Sequence, residues 1–300
     1  MIPEKTAGCM LCPRMCGADR AVSAGACSVP PGGIMVARAS LHMWEEPCIS
    51  GERGSGTIFF SGCPLRCVYC QNREISRGRS GRLIDEERLS EIMLSLEEKG
   101  AHNINMVTPT HYTERIITAA ALAREKGLSV PIVWNTSGYE RVGTLRMLEG
   151  TVDIYLTDFK YMSAALAKRY SSAEDYPAVA KAALREMVSQ QGRIVYGDDG
   201  MMKKGVIVRH LVLPGCTEDS KEVIDHVYSS CGERVIISLM SQYTPMEGLG
   251  DYPEIDRKLS PAEYDEVVDH AVDIGVENAF IQEGEAASES FIPQFDLQGV

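Results

Sequence analysis

SGCPLRCVYCQN, Ser61 to Asn72, places three cysteines at spacing C-x3-C-x2-C with no fourth nearby. The stretch runs on from GTIFFSG (56–62), an apolar, β-branched segment that reads as a strand. Cys63, Cys67 and Cys70 then fall in a loop at the carboxyl end of that strand, where open α/β folds and barrels place their chemistry. A closed structural metal site takes four protein ligands, so three suggest a coordination position left open. The alternatives are a buried trio of small apolar side chains, or a zinc site completed from elsewhere in the chain.

Outward from this loop the pattern alternates. Strand-like runs at 56–62, 103–107, 131–135, 152–158, 205–213 and 234–240 are separated by amphipathic segments near 85–99, 112–126, 140–149, 163–191, 217–230 and 260–273. Several of these helices open on recognisable caps: Asp85 before EERLSEIM, Thr217 before EDSKEVI, and SPAE, with Ser260 as cap, Pro261 in the first turn and Glu263 closing a capping box. Strand then helix, repeated, implies parallel strands joined by right-handed crossovers. Six such units predict an α/β fold built as a partial (β/α)6 TIM-type barrel, short of the eight units of a closed one. RIVYGDDGMMKKGVIV reads as a hairpin turning through GDDG into the fifth of these strands.

The first 50 residues differ, being rich in Cys, Gly and Pro without helical period. The expected organisation is therefore a Cys-rich metal-binding lobe at 1–50 and a core domain with a C-terminal extension at 51–300. Within the lobe, Cys9-x2-Cys12-x3-Cys16-x10-Cys27 offers four thiolates, the number that closes a structural zinc site; an auxiliary iron-sulfur cluster is the other reading, although the spacing matches neither common ferredoxin run. Cys48, Cys216 and Cys231 stand alone and read as buried or incidental.

The chain has 300 residues and a formal charge of −12, unevenly placed: residues 1–82 carry a net +4 and the remainder −16. An acidic body argues against nucleic acid as the main partner, which would need concentrated Lys and Arg. No apolar run approaches the roughly 20 residues of a membrane span, and the opening MIPEKTAGCM lacks the pattern of a signal peptide. Eight of the ten cysteines precede residue 71 at metal-ligand spacings, so disulfides are not expected and a cytoplasmic location is. GERGSGTIFF precedes its strand, the wrong order for a dinucleotide loop.

Cys63-x3-Cys67-x-Tyr69-Cys70, with an aromatic before the last cysteine, resembles the signature of the radical S-adenosylmethionine (SAM) superfamily. The resemblance implies that the three thiolates hold three irons of a [4Fe-4S] cluster and that the fourth iron receives the amino and carboxylate groups of SAM. It further implies reductive cleavage of SAM to a 5′-deoxyadenosyl radical that abstracts hydrogen.

The stretch from about 51 to 300 is similar to a closer group, the pyruvate formate-lyase activating enzyme-like proteins. In NTSGYE, Asn135, Thr136 and Ser137 match a strand-end segment that contacts the cofactor and helps bind a monovalent cation; in DIYLTDFKY, Asp158 and Lys160 match an acid that faces the cation and a lysine that reaches the cofactor carboxylate. A lysine ammonium is a compact charge suited to that carboxylate. Arg209, inside the apolar run VIVRHLVL, needs a partner and reads either as a cofactor or substrate contact or as half of a structural ion pair. Gln242 and Tyr243 stand where the activating enzymes carry a cofactor-contacting histidine. Thr108-Pro109-Thr110-His111 replaces the Gly-Gly-Glu that receives the cofactor's amino group, with the Thr108 and Thr110 hydroxyls as substitute acceptors and His111 as a helix-start or supporting residue. VTPTHY, NTSGYE and the ending FIPQFDLQGV together resemble the X-type branch of the activating enzyme-like proteins.

The resemblance implies an enzyme acting on a protein or peptide, with a glycyl-radical enzyme as the substrate of the activases and flavodoxin or ferredoxin as electron donor. Modification of another protein or a small molecule is the rival within the class. A non-catalytic iron-sulfur electron carrier or metal-binding adaptor is the rival outside it.

Overall fold

In a computed structural model the described residues are 8–78, 80–282 and 293–300; the first two residues of FIPQFDLQGV lie outside them. Strand β1 (Ile34–His42) comes first, then the single-turn helix α1 (Pro47–Ser50) and β2 (Ser55–Phe60). A short helix α2 (Arg73–Ser76), β3 (Arg82–Ile84) and α3 (Glu86–Glu98) lead to β4 (Ile104–Val107). Next come α4 (Thr113–Glu125), β5 (Ile132–Thr136), α5 (Val142–Met147) and β6 (Ile154–Asp158). Helices α6 (Ala164–Ser171) and α7 (Tyr176–Gln191) precede β7 (Val195–Tyr196) and β8 (Met202–Leu211). The last elements are α8 (Thr217–Cys231), β9 (Ile236–Met240), α9 (Pro261–Asp273) and β10 (Ala279–Ile281).

The sheet runs β10-β9-β8-β6-β5-β4-β2-β1-β3, with β7 hairpinned onto β8. From β2 to β10 every neighbour in the main sheet is parallel. This is the α/β fold with a mostly parallel sheet that the alternation predicts, six strand-helix units followed by a further parallel strand, β10. SGTIFF and IVWNT are buried along their whole length, as strands covered on both faces must be.

Three strands escape the sequence pattern. β1, within the stretch read as the Cys-rich lobe, pairs antiparallel with β2 and extends the sheet. β3 and β10 are three residues each, too short for a period to show. The helix expected over 163–191 is two: Ser172 takes a left-handed C-cap at φ 49° and Pro177 opens the next helix. Asp85 and Ser260 cap as expected, the latter in a full capping box with Glu263, whereas Cys216, not Thr217, occupies the N-cap of α8.

Register sets up the site. Val107 of β4 lies beside Asn135 of β5, Thr136 beside Thr157 of β6, and Asp158 beside Arg209 of β8, so polar residues far apart in sequence end on one rim. The closing segment is tied to β1: Ala39 N–H donates to Gln298 O and Leu297 N–H to Ala37 O. Among the described residues no helix is long and apolar enough to cross a membrane.

Candidate active site

An open cavity of about 250 Å³ lies at the carboxyl ends of the parallel strands. Cys63, Cys67, Tyr69 and Cys70 line it from the loop after β2, Thr108 from the end of β4, and Asn135, Thr136 and Ser137 from the end of β5. Asp158, Lys160, Arg209 and Gln242 complete the rim. The three cysteines and all but one of the residues singled out as cofactor contacts therefore share one space.

Thr110 is the exception. It is buried in the turn after β4, its hydroxyl donating to Glu140 at 2.6 Å, and lies off the cavity, away from where an ammonium would sit. Thr108 does face the cavity, with a left-handed backbone (φ 58°) that is strained for a β-branched residue. His111 is buried; its Nε2–H donates to Ser61 O at 2.8 Å, tying this turn to the end of β2, and burial lowers its pKa to about 4, which keeps it neutral. Tyr243 points away from the rim, donating to Ile255 O at 2.6 Å, while Gln242 stays on it.

A half-buried charge network lines the same cavity as the cysteines. Arg209 donates to Asp158 at 3.1 Å, to Glu45 at 3.1 Å and to Asn135 Oδ1 at 2.7 Å, and Lys160 donates to Asp158 at 2.6 Å. Burial would raise the Asp158 pKa, but Lys160 and Arg209 hold it below the ordinary value. Burial likewise opposes the charge on Lys160, and Asp158 and Cys67 more than offset it. Of the two readings of Arg209, the ion pair is therefore present, with Asp158, which the sequence marks, and with Glu45, which the sequence did not single out. Asp158 presents one oxygen to Lys160 and the other to Arg209.

Glu45, from the turn between β1 and α1, closes the network: besides Arg209 it accepts from Asn105 at 3.0 Å and Asn135 at 3.3 Å. The only sequence signal was its place in WEEP, a pair of acids in an apolar, Pro-bounded run. Glu140 was also missed. Fully buried, its Oε1 accepts from Thr110 (2.6 Å), Thr136 (2.6 Å) and Trp134 (3.4 Å), and Oε2 has no partner among the described residues. Burial pushes its pKa up to about 7, with the three donors pulling it back.

Local structure fixes the rim. Gly138 turns the chain after Ser137 at φ 75°, where a side-chain carbon would stand 2.2 Å from the Asp158 carbonyl oxygen. Tyr176 donates to the Ser137 and Asp158 carbonyls at 2.8 and 3.2 Å and accepts from Lys160 N–H at 2.9 Å, pinning two strand ends together.

The donor set discriminates between metals. Burial raises the Cys63 thiol and pushes Cys70 up to about 12, with neighbouring sulfurs adding to both, so these two thiols stay protonated unless a metal takes them. Thiolates on a single zinc stand about 3.8 Å apart. No three Cys, His, Asp or Glu side chains among the described residues converge as the ligands of one ion must. Three soft ligands beside an open cavity fit a cubane with one iron left for another ligand.

The Radical SAM superfamily model matches residues 57–227. An uncharacterised protein of Methanocaldococcus jannaschii, MJ0674, is 28% identical over 271 residues, covering 88% of this chain and 74% of that protein. Among solved structures, SuiB of Streptococcus suis bound to S-adenosylmethionine superposes with TM-score 0.51 at 15% identity, over 75% of this chain and 49% of SuiB, so the chain spans about half of that protein. anSMEcpe with bound AdoMet and Kp18Cys peptide superposes with TM-score 0.50 at 13% identity, over 71% of this chain and 57% of that one. With the family match spanning more than half of the sequence, and the three-cysteine loop at the carboxyl ends of a parallel sheet, this chain belongs to the radical SAM superfamily.

Proposed function

We propose that the protein abstracts hydrogen from a polypeptide, in the manner of a glycyl-radical enzyme activase. One observation carries the reading: the three thiols and the Asn135-Asp158-Lys160-Arg209 network line a single cavity. Bound there, a reduced [4Fe-4S] cluster would supply the electron that splits SAM into methionine and a 5′-deoxyadenosyl radical.

The chain's own residues do the rest. Cys63, Cys67 and Cys70 hold the irons. Lys160 presents a cation to the carboxylate of the methionyl end, and Thr108 and Asn135 offer polar atoms to its ammonium. Glu45 and Asp158 balance Arg209 and Lys160, so the network has no net charge of its own. The similarity of NTSGYE and D-x-K to the activating enzymes supports a polypeptide substrate, and the peptide in the anSMEcpe structure adds a fold-level parallel. Flavodoxin or ferredoxin is the electron donor that fits this reading.

The test is isotopic. Reduced, reconstituted protein is incubated with SAM and a candidate polypeptide deuterated at glycine. Deuterium in 5′-deoxyadenosine, with a glycyl radical signal on the polypeptide, supports the activase reading. Transfer only from a small molecule would replace it.

A further inference from the structure

Cys9, Cys12, Cys16 and Cys27 stand apart from the cavity, yet the loop that carries them is fastened to it. Cys63 N–H donates to the Cys27 carbonyl at 3.3 Å, a main-chain bond between one cysteine group and the other. Arg66 donates to Ala26 O at 2.5 Å and to the Ser28 hydroxyl. In return Arg14 reaches the carbonyls of Pro64 at 2.9 Å, Ser171 at 3.2 Å and Ser172 at 2.6 Å. On the far side Thr144 donates to Leu11 O at 2.7 Å. The lobe is thus clamped between the triplet loop and α5.

The four sulfurs form a group. The main chain folds Cys9 back beside Cys16, Gly17 N–H donating to the Cys9 carbonyl at 3.0 Å and Cys9 N–H to Ala18 O at 2.9 Å. A side-chain carbon on Gly25 would stand 3.2 Å from Cys16 Sγ and 3.6 Å from Cys27 Sγ, so glycine leaves a hollow that both sulfurs border. Arg20 Nη1 lies 3.8 Å from Cys27 Sγ and donates to Val29 O at 3.2 Å, placing a cation beside sulfurs that would carry negative charge.

Soft thiolates alone select zinc or iron-sulfur clusters. Zinc would draw all four sulfurs to about 3.8 Å of one another. Grouped thiolates suit either centre, but zinc carries no electron, and the lobe's main-chain bond to the Cys63 loop favours the redox-active one. Four thiolates close such a cluster, so it has no vacant iron and takes no SAM. Position suggests its use: Cys16 is exposed, while Cys27 is buried and bonded through its carbonyl to Cys63.

We propose that Cys9, Cys12, Cys16 and Cys27 hold a second, closed [4Fe-4S] cluster, through which an electron from a reduced flavodoxin- or ferredoxin-type protein enters toward the Cys63 loop. The donor is oxidised by one electron, the second cluster is reduced and then reoxidised as the electron moves inward, and no bond or proton changes hands. The identity of the metal and the entry role both rest on the radical SAM reading of the triplet, whereas the iron and zinc contents are measured independently of it.

Iron, sulfide and zinc are measured on the full chain after anaerobic reconstitution, together with the electron-spin spectrum of the reduced protein. The expected content is about eight irons per chain and no zinc. Cys63→Ala/Cys67→Ala/Cys70→Ala should retain about four irons, with a spectrum indifferent to SAM, and Cys9→Ser/Cys12→Ser about four whose spectrum SAM changes. A native content of about four irons plus zinc, or an iron-free but folded triplet variant, overturns the assignment. Because the double variant could lose its fold, Cys16→Ser, at an exposed position, provides a second reading: the SAM-indifferent signal should be altered in it, and an unaltered signal counts against the cluster. With reduced flavodoxin the double variant should form 5′-deoxyadenosine at least about tenfold more slowly, yet stay within about twofold with titanium(III) citrate; equal losses or equal retention with both reductants overturn the entry role. Eight irons without any SAM cleavage would sink the function proposed above and leave the second cluster standing.

Discussion

The Ser171 hydroxyl donates to the sulfur of Cys67 at 3.0 Å. That direction orders a chain of hydroxyls behind it: with its proton committed, Ser171 accepts from Tyr161 at 2.9 Å, and Tyr161 accepts from Tyr69 at 2.6 Å. Tyr69, the aromatic of the cysteine signature, therefore supports the neighbouring thiolate through two intermediaries. Hydrogen bonds to cluster sulfurs stabilise the reduced, more negative state. Ser171→Ala should lower the reduction potential of the SAM-binding cluster on the order of tens of millivolts. A redox titration followed by electron-spin resonance reads it, and an unchanged potential would reduce Ser171 to a packing role.

Glu140 makes stability depend on pH. Its pKa is raised from 4.5 to about 7 by burial, so the folded state favours the protonated form. Stability should be greatest below the unfolded value, fall as pH rises between 4.5 and about 7, and level off above. The full difference is roughly 3 kcal/mol. Glu140→Gln keeps an oxygen for Thr110, Thr136 and Trp134 without the charge. Its urea midpoint should match the parent near pH 5 and exceed it at pH 8; parallel profiles would refute the assignment.

Glu45→Ala leaves Arg209 with one carboxylate and Asn105 with no acceptor for its amide. Breaking a buried pair costs about 3 kcal/mol or more, measurable by urea unfolding. Replacing Glu45 and Arg209 together by methionine should recover much of that stability, because no orphan charge remains. SAM binding, followed by calorimetry, should stay weak in both. Restored binding in the double variant would show the network to be structural only.

Gly138→Ala puts a carbon 2.2 Å from the Asp158 carbonyl at a left-handed φ. The strain should cost about 1–3 kcal/mol and displace Ser137 and Asp158. Loss of SAM affinity beyond the loss of stability is the expected result. Native affinity would mean that the rim adjusts.

Much of this was legible in the chain. The six strand-helix alternations are long enough for their period to show, and the residues at the strand ends were found because motifs mark them. Hidden features have common causes. β3 and β10 are too short for a pattern, and β1 lay inside a stretch dominated by cysteine and glycine. Glu45, Glu140 and Ser171 act through contacts over 90, 30 and 104 positions, a separation only the sheet order closes. Thr110 was misplaced because sequence gives its neighbourhood and not the direction of its hydroxyl.

Release of 5′-deoxyadenosine and methionine from SAM by the anaerobically reconstituted, reduced protein tests the central claim most directly. The native chain should form both, and Cys63→Ala, Cys67→Ala and Cys70→Ala should each abolish them. Undiminished cleavage in any of these variants, or none in a native chain whose Cys63 loop carries a full cluster, would contradict it.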